Sequence, residues 1–71
     1  MNKTLLEKIE TETEERKLLA LAYRVEGDVQ SGQMSPEYYA ECMMVLSKKL
    51  GFPITTENLD RAAAKYKGVP T

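Results

Sequence analysis

The sequence predicts an all-α protein, a compact three-helix arrangement with a long first helix. Three observations favour this fold class. Apolar residues recur at helical spacing, capping residues separate three such segments, and the sequence has no strand-like alternation of apolar and polar residues. A chain of 71 residues has room for one hydrophobic core, so we expect residues 1–71 to form a single helical domain.

The first predicted helix, about residues 4–30, is organised around the apolar stretch Leu18–Val29. Thr4 and Glu7 have the spacing of a capping box and predict where the helix starts. A second pair with this spacing, Thr11 and Glu14, permits a break, but no Gly or Pro requires one, so we expect one continuous helix. The core-facing stripe, which spans roughly 100° of the helical wheel, is Leu18, Leu21, Ala22, Val25 and Val29.

Two further helices complete the predicted fold. Ser35, followed by proline, is typical of an N-cap, and Gly51 is typical of a helix end, so a second helix is predicted over about residues 36–50. Thr55 can cap a third helix over about residues 56–67. The loops of about four residues favour antiparallel packing of neighbouring helices.

The helical phase of the N-terminal apolar residues does not match the core stripe. Ile9 and Leu18 are nine positions apart, about 900° of rotation, and lie on opposite sides of a straight helix. Leu5, Leu6 and Ile9 therefore cannot face the core if the first helix is continuous. The alternatives are a break beyond Ile9, a frayed N-terminus, or residues 1–12 as a projecting arm that contacts a second copy or another protein.

Composition argues against several classes of protein. Ten basic and eleven acidic residues give a net charge of −1, which suits neither a strongly basic nucleic-acid binder nor an acidic nucleic-acid mimic. No apolar run approaches the roughly 18–20 residues of a membrane span, and Glu7 and Glu10 stand where a signal peptide needs apolar residues. The lone Cys42 suits a reducing compartment, so we expect a cytoplasmic protein with no membrane contact.

No constellation of catalytic residues is evident. The sequence has no histidine, the most common general base and zinc ligand, and its single cysteine is predicted to be a small buried hydrophobe. It also has neither a Gly-rich phosphate-binding loop nor a calcium-loop spacing of acids. We therefore expect no enzymatic activity, no cofactor and no metal.

Residues 46–67 have the outline of a helix-turn-helix, with Gly51 in the turn. Pro53 would stiffen that turn, and Glu57 and Asp60 would place negative charge near the phosphates. A DNA-binding regulator is the alternative function. Its candidate DNA contacts are Thr55, Thr56, Asn58, Arg61 and Lys65.

Protein binding accounts for more of the unusual features. Methionine and tyrosine residues cluster in and beside the second helix, and such side chains are common at adaptable interfaces. The candidate interface residues are Leu5, Leu6, Ile9, Tyr38 and Met44. We expect a small non-enzymatic helical module that binds protein, as a homo-oligomer such as a homodimer or as a regulator or inhibitor of a larger target. Its small size would fit a phage or mobile-element accessory protein.

Overall fold

A computed structural model describes residues 4–67 and contains within them four α-helices. They are α1 (Leu5–Thr11), α2 (Glu15–Gln30), α3 (Pro36–Leu50) and α4 (Thr56–Lys67). The predicted all-α class is confirmed, but the predicted three helices are wrong, because the first of them is two helices. None of the four helices has the combination of length and apolar content needed to cross a membrane.

The chain leaves helical geometry immediately after Thr11. Glu12 is extended, with φ −78° and ψ 136°, and Glu14 is extended again before α2 begins. The Glu12 carboxylate accepts hydrogen bonds from the backbone N–H groups of Thr13 and Glu14, at 3.0 and 3.1 Å. This carboxylate offers the backbone an alternative to the helical hydrogen-bond ladder, which is why a break forms without Gly or Pro.

A lysine from α3 also holds the break in place. The Lys49 ammonium donates a hydrogen bond to the Glu10 carbonyl and another, at 2.8 Å, to the Glu12 carbonyl. Carbonyls at a helix C-terminus lack intrahelical partners and carry the negative end of the helix dipole, so a cation is favourable there. Lys49 therefore caps α1 from a distant part of the chain.

The break allows α1 to fold back against α3. Ile9 is completely buried, and Leu5 and Leu6 are half-buried against the same core. The Tyr38 hydroxyl on α3 accepts a hydrogen bond from the backbone N–H of Leu6 at 2.9 Å, which satisfies one of the first-turn donors of α1. Where the sequence allowed a projecting arm, α1 lies on α3 as part of the core.

The core forms around α2, which packs against both α3 and α4. Within the predicted stripe, Leu21 and Val29 are only half-buried, whereas Leu19, which lay outside it, is fully buried. A helix covered by two neighbours buries a wider arc than one apolar stripe. The buried core residues are Ile9, Leu18, Leu19, Ala22, Val25, Cys42, Leu46, Leu59 and Ala62.

Three tyrosine–carboxylate hydrogen bonds connect α2 to its two neighbours. Each bond raises the pKa of its tyrosine hydroxyl, because the neutral hydroxyl donates to a carboxylate. The pKa of Glu15 is lowered, first by the Tyr66 hydroxyl and then by the charge of Lys65. The pairs are Tyr23 with Asp60 at 2.7 Å, Tyr39 with Glu26 at 2.8 Å and Tyr66 with Glu15 at 2.5 Å.

Candidate functional site

An open groove of about 510 Å³ lies on the surface between α1 and α2. Both helices pack on α3, but they make little direct contact with each other, so a cleft remains between them. We call it the α1–α2 groove. It is lined by Lys8, Thr11, Glu12, Lys17, Ala20, Leu21 and Arg24.

The floor of the groove is apolar and its rim is cationic. Ala20 is exposed and Leu21 is half-buried, so a short stretch of α2 presents apolar surface to solvent. Lys17 and Arg24 flank this stretch seven residues apart, which is about 10 Å along a helix axis and places them on nearly the same side of α2. Lys8 stands on the opposite wall, on α1.

The rim cations are only weakly neutralised by the protein's own acids. The nearest N–O distance from Lys17 to Glu14 is 3.9 Å, and that from Arg24 to Asp28 is also 3.9 Å. Within residues 4–67, no carboxylate oxygen lies within 4.0 Å of the Lys8 ammonium. Exposed pairs at such distances contribute little free energy, so a partner's carboxylates can compete with them.

The carboxylate of Glu12 is the one acidic group that lines the groove. Its oxygen is occupied by the two backbone N–H groups of the break. The Glu14 N–H, then the Thr13 N–H and the charges of Lys17 and Lys49, hold the pKa of Glu12 below its ordinary value despite partial desolvation. Glu12 is therefore a stable, ionised part of the groove wall.

The structure separates the five predicted interface residues into two groups. Leu5, Leu6, Ile9 and Tyr38 come together, but they do so inside the molecule, between α1 and α3. Met44 is 59% exposed on the outer side of α3, away from that contact. Only Met44 of the five is thus largely open to a partner.

The predicted DNA-contacting residues line or flank a smaller depression of about 270 Å³ on α4. Thr55 accepts a hydrogen bond from the Asn58 N–H at 3.1 Å, as a helix cap, and the Asn58 amide donates to the Pro53 carbonyl at 2.8 Å. Thr56 is the exposed first residue of α4.

The two cations of this set each face a carboxylate. Arg61 forms an ion pair with Glu57 at 2.7 Å, and Lys65 forms one with Glu15 at 3.5 Å. In addition, α3 and α4 make little direct contact, whereas the two helices of a helix-turn-helix form one compact unit. The segment therefore has the order of elements of this motif without its packing.

The described part of the chain, residues 4–67, holds neither an accessible thiol nor a cluster of metal-ligating side chains. Cys42 is completely buried, and burial, followed by the charge of Glu41, raises the pKa of its thiol. Within residues 4–67, no three histidine, cysteine or acidic side chains lie close enough together to hold a metal ion.

The groove was absent from the sequence-based candidates because its two walls become neighbours only when α1 folds back. On a continuous helix, Lys8 and Lys17 would lie on opposite sides, nine residues apart.

Comparison of the chain with known protein families, curated proteins and solved structures finds no match.

Proposed function

We propose that this chain is a small, non-enzymatic helical module that binds another protein through the α1–α2 groove. The observation that carries the proposal is the combination of an apolar floor, at Ala20 and Leu21, with three exposed cations on the rim. Apolar contact supplies affinity, and the surrounding charges select the partner and fix its orientation.

The open form of the groove favours a protein partner over a small molecule. Small-molecule sites are concave and bury most of the surface of their ligand. The α1–α2 groove is instead open to solvent, with Lys17 and Arg24 about two helical turns apart. A helix of a larger protein fits such a groove, and a chain of this size would act on that protein as a regulator or inhibitor.

Self-association has less support than binding to a different protein. The homodimer hypothesis depended on the small size of the chain and on apolar N-terminal residues without an intramolecular partner. Ile9 is buried within the chain, and Leu5 and Leu6 are partly covered by the same core. DNA binding is also less well supported, because Arg61 and Lys65 are paired with carboxylates.

Site-specific photo-crosslinking in the native cells tests the proposal. A photoreactive amino acid replaces Ala20 in the groove or, as the matched control, Ala40, which is also an exposed helical alanine. We expect one protein to crosslink reproducibly from Ala20, to be displaced by excess wild-type chain, and to be absent from the Ala40 sample. Crosslinks from Ala40 alone, or from neither position, would contradict the proposal.

A further inference from the structure

We infer that the segment bound in the α1–α2 groove is an acidic helix of another protein, with carboxylates about two turns apart and an apolar side chain between them. This inference rests on the proposed function and specifies the class of partner. Its basis is the order of side chains along the groove, in which apolar surface separates two cations of α2.

The charge of the groove selects an acidic partner. Lys8, Lys17 and Arg24 surround the apolar floor, and the single lining carboxylate, Glu12, is held by backbone N–H groups. Glu14 and Asp28 reach two of these cations only at 3.9 Å, Glu14 from an exposed position and Asp28 from a half-buried one. A partner carboxylate that approaches from above the floor would form a closer pair in a less hydrated place.

The spacing of the two α2 cations along the groove favours a helical partner. Lys17 and Arg24 are seven residues apart on α2, so acids seven residues apart on a partner helix that lies along α2 come opposite them. An apolar residue three or four positions after the first acid then lies over Ala20 and Leu21. The small side chain of Ala20 lets the two helices approach closely.

A nucleic acid fits this surface less well. A phosphate backbone would meet the Glu12, Glu14 and Asp28 carboxylates beside the cations, and it would leave the floor at Ala20 and Leu21 without an apolar contact. The net charge of the chain, −1, also opposes general attraction to nucleic acid.

A designed peptide tests the inference with the whole chain. The probe is a fluorescein-labelled, alanine-rich helical peptide with two glutamates seven residues apart and two leucines between them; its twin has lysines in place of the glutamates. Binding is measured by fluorescence anisotropy at low salt. We expect the glutamate peptide to bind about tenfold more tightly than the lysine peptide, because two exposed ion pairs are exchanged for two repulsions.

Charge reversal locates the binding. Lys17→Glu is expected to weaken binding of the glutamate peptide about fivefold, whereas the matched control Lys48→Glu, on the outer side of α3, changes it less than about twofold. Circular dichroism shows whether each variant is folded. As a measurement that needs no variant, the peptide should shift the amide resonances of Lys8, Ala20 and Leu21 in the wild-type chain.

Several outcomes would overturn the inference. They are equal binding of the two peptides, amide shifts confined to α3 or α4, and a duplex DNA that binds more tightly than the glutamate peptide. If Ala20 crosslinks to a native protein while the glutamate peptide is not preferred, protein binding by the groove stands and the acidic-helix inference fails.

Discussion

The start of α3 and the end of α1 show two different ways of placing a helix terminus. At the start of α3 the determinants are adjacent: Ser35 accepts a hydrogen bond from the Tyr38 N–H at 3.3 Å, and proline occupies the first helical position. At the end of α1 a local carboxylate turn at Glu12 is combined with Lys49, 37 residues further along the chain.

The difference separates local from tertiary control of structure. The terminus at Ser35 belongs to the segment itself, and a short stretch of sequence contains all of its determinants. The terminus at Thr11 depends on α3, because Lys49 caps it and burial of Ile9 holds α1 in place. Variants that act on one terminus and spare the other can therefore test each kind of control.

The largest effect is expected from removing the apolar anchor of α1. Ile9→Ala should destabilise the fold by about 2–4 kcal/mol, because it removes a completely buried side chain and leaves a cavity. A domain this small has roughly 3–5 kcal/mol to lose, so the variant should be largely unfolded near 37 °C. The matched control Met44→Ala, at a site 59% exposed, should cost less than about 0.5 kcal/mol. Urea unfolding followed by circular dichroism measures both; equal costs would contradict the burial of α1.

The stability contributed by the start of α3 should depend only on its N-cap, Ser35. Ser35→Ala should cost about 1 kcal/mol, because the Tyr38 N–H loses its acceptor, whereas Ser35→Asp should be nearly neutral because aspartate caps as well as serine. Chemical denaturation of the three proteins gives the comparison. If Ser35→Asp lowers the free energy of unfolding as much as Ser35→Ala does, the side-chain oxygen does not act as the cap.

The end of α1 should respond to the substitution of a residue far away in sequence. Lys49→Met should cost roughly 0.5–1 kcal/mol and increase amide hydrogen exchange in α1, because two C-terminal carbonyls lose a donor. Its neighbour Lys48 provides the matched control, since Lys48→Met changes the same net charge without touching α1. Exchange rates in α1 that rise equally in both variants would count against capping by Lys49.

The smallest expected effect is the pH dependence of the hydrogen bonds around α2. The folded pKa values of Tyr23, Tyr39 and Tyr66 lie above the unfolded value of 10.0. The stability that their hydrogen bonds give the fold is therefore complete below pH 10 and is lost as pH rises through the folded pKa values. The folded pKa of Glu15 lies below the unfolded value of 4.5. The stability that the ionised Glu15 carboxylate gives the fold is therefore present above pH 4.5 and is lost as pH falls through the folded pKa. Melting temperatures should be flat between about pH 4.5 and pH 9.0, above which the buried Cys42 thiol, whose folded pKa is also raised, adds to the alkaline decline. Replacement of the three tyrosines by phenylalanine should reduce that decline. An unchanged decline would contradict the three pairs.

Particular residues show which parts of the fold the sequence could predict. Ser35, Gly51 and Thr55 act through neighbouring backbone groups, so α3 and α4 are where their caps predicted them. The phase mismatch of Ile9 and the Thr11–Glu14 spacing indicated where a break could occur, but neither required one. The break has a local part, the turn at the Glu12 carboxylate. It also has a tertiary part, because a continuous helix would leave Ile9 outside the core and Lys49 caps the break from α3.

The candidate groove could not be predicted for the same reason. Its walls, at Lys8 and at Lys17 with Arg24, are brought together by the fold of α1 and not by sequence spacing. Leu19 is a related case, because its burial follows from the second neighbour of α2 and not from the apolar stripe. Contacts between elements, which helical periodicity does not encode, decided each of these features.

The fold and the groove both depend on the break after Thr11, which places α1 on α3. The most direct test is a nuclear Overhauser spectrum of the labelled wild-type chain. We expect a cross-peak between the Leu6 amide proton and the ring protons of Tyr38, because the Tyr38 hydroxyl accepts a 2.9 Å hydrogen bond from the Leu6 N–H. We also expect extended-backbone chemical shifts at Glu12 and Glu14. Helical shifts that run unbroken from Leu5 to Gln30, without that cross-peak, would contradict the break.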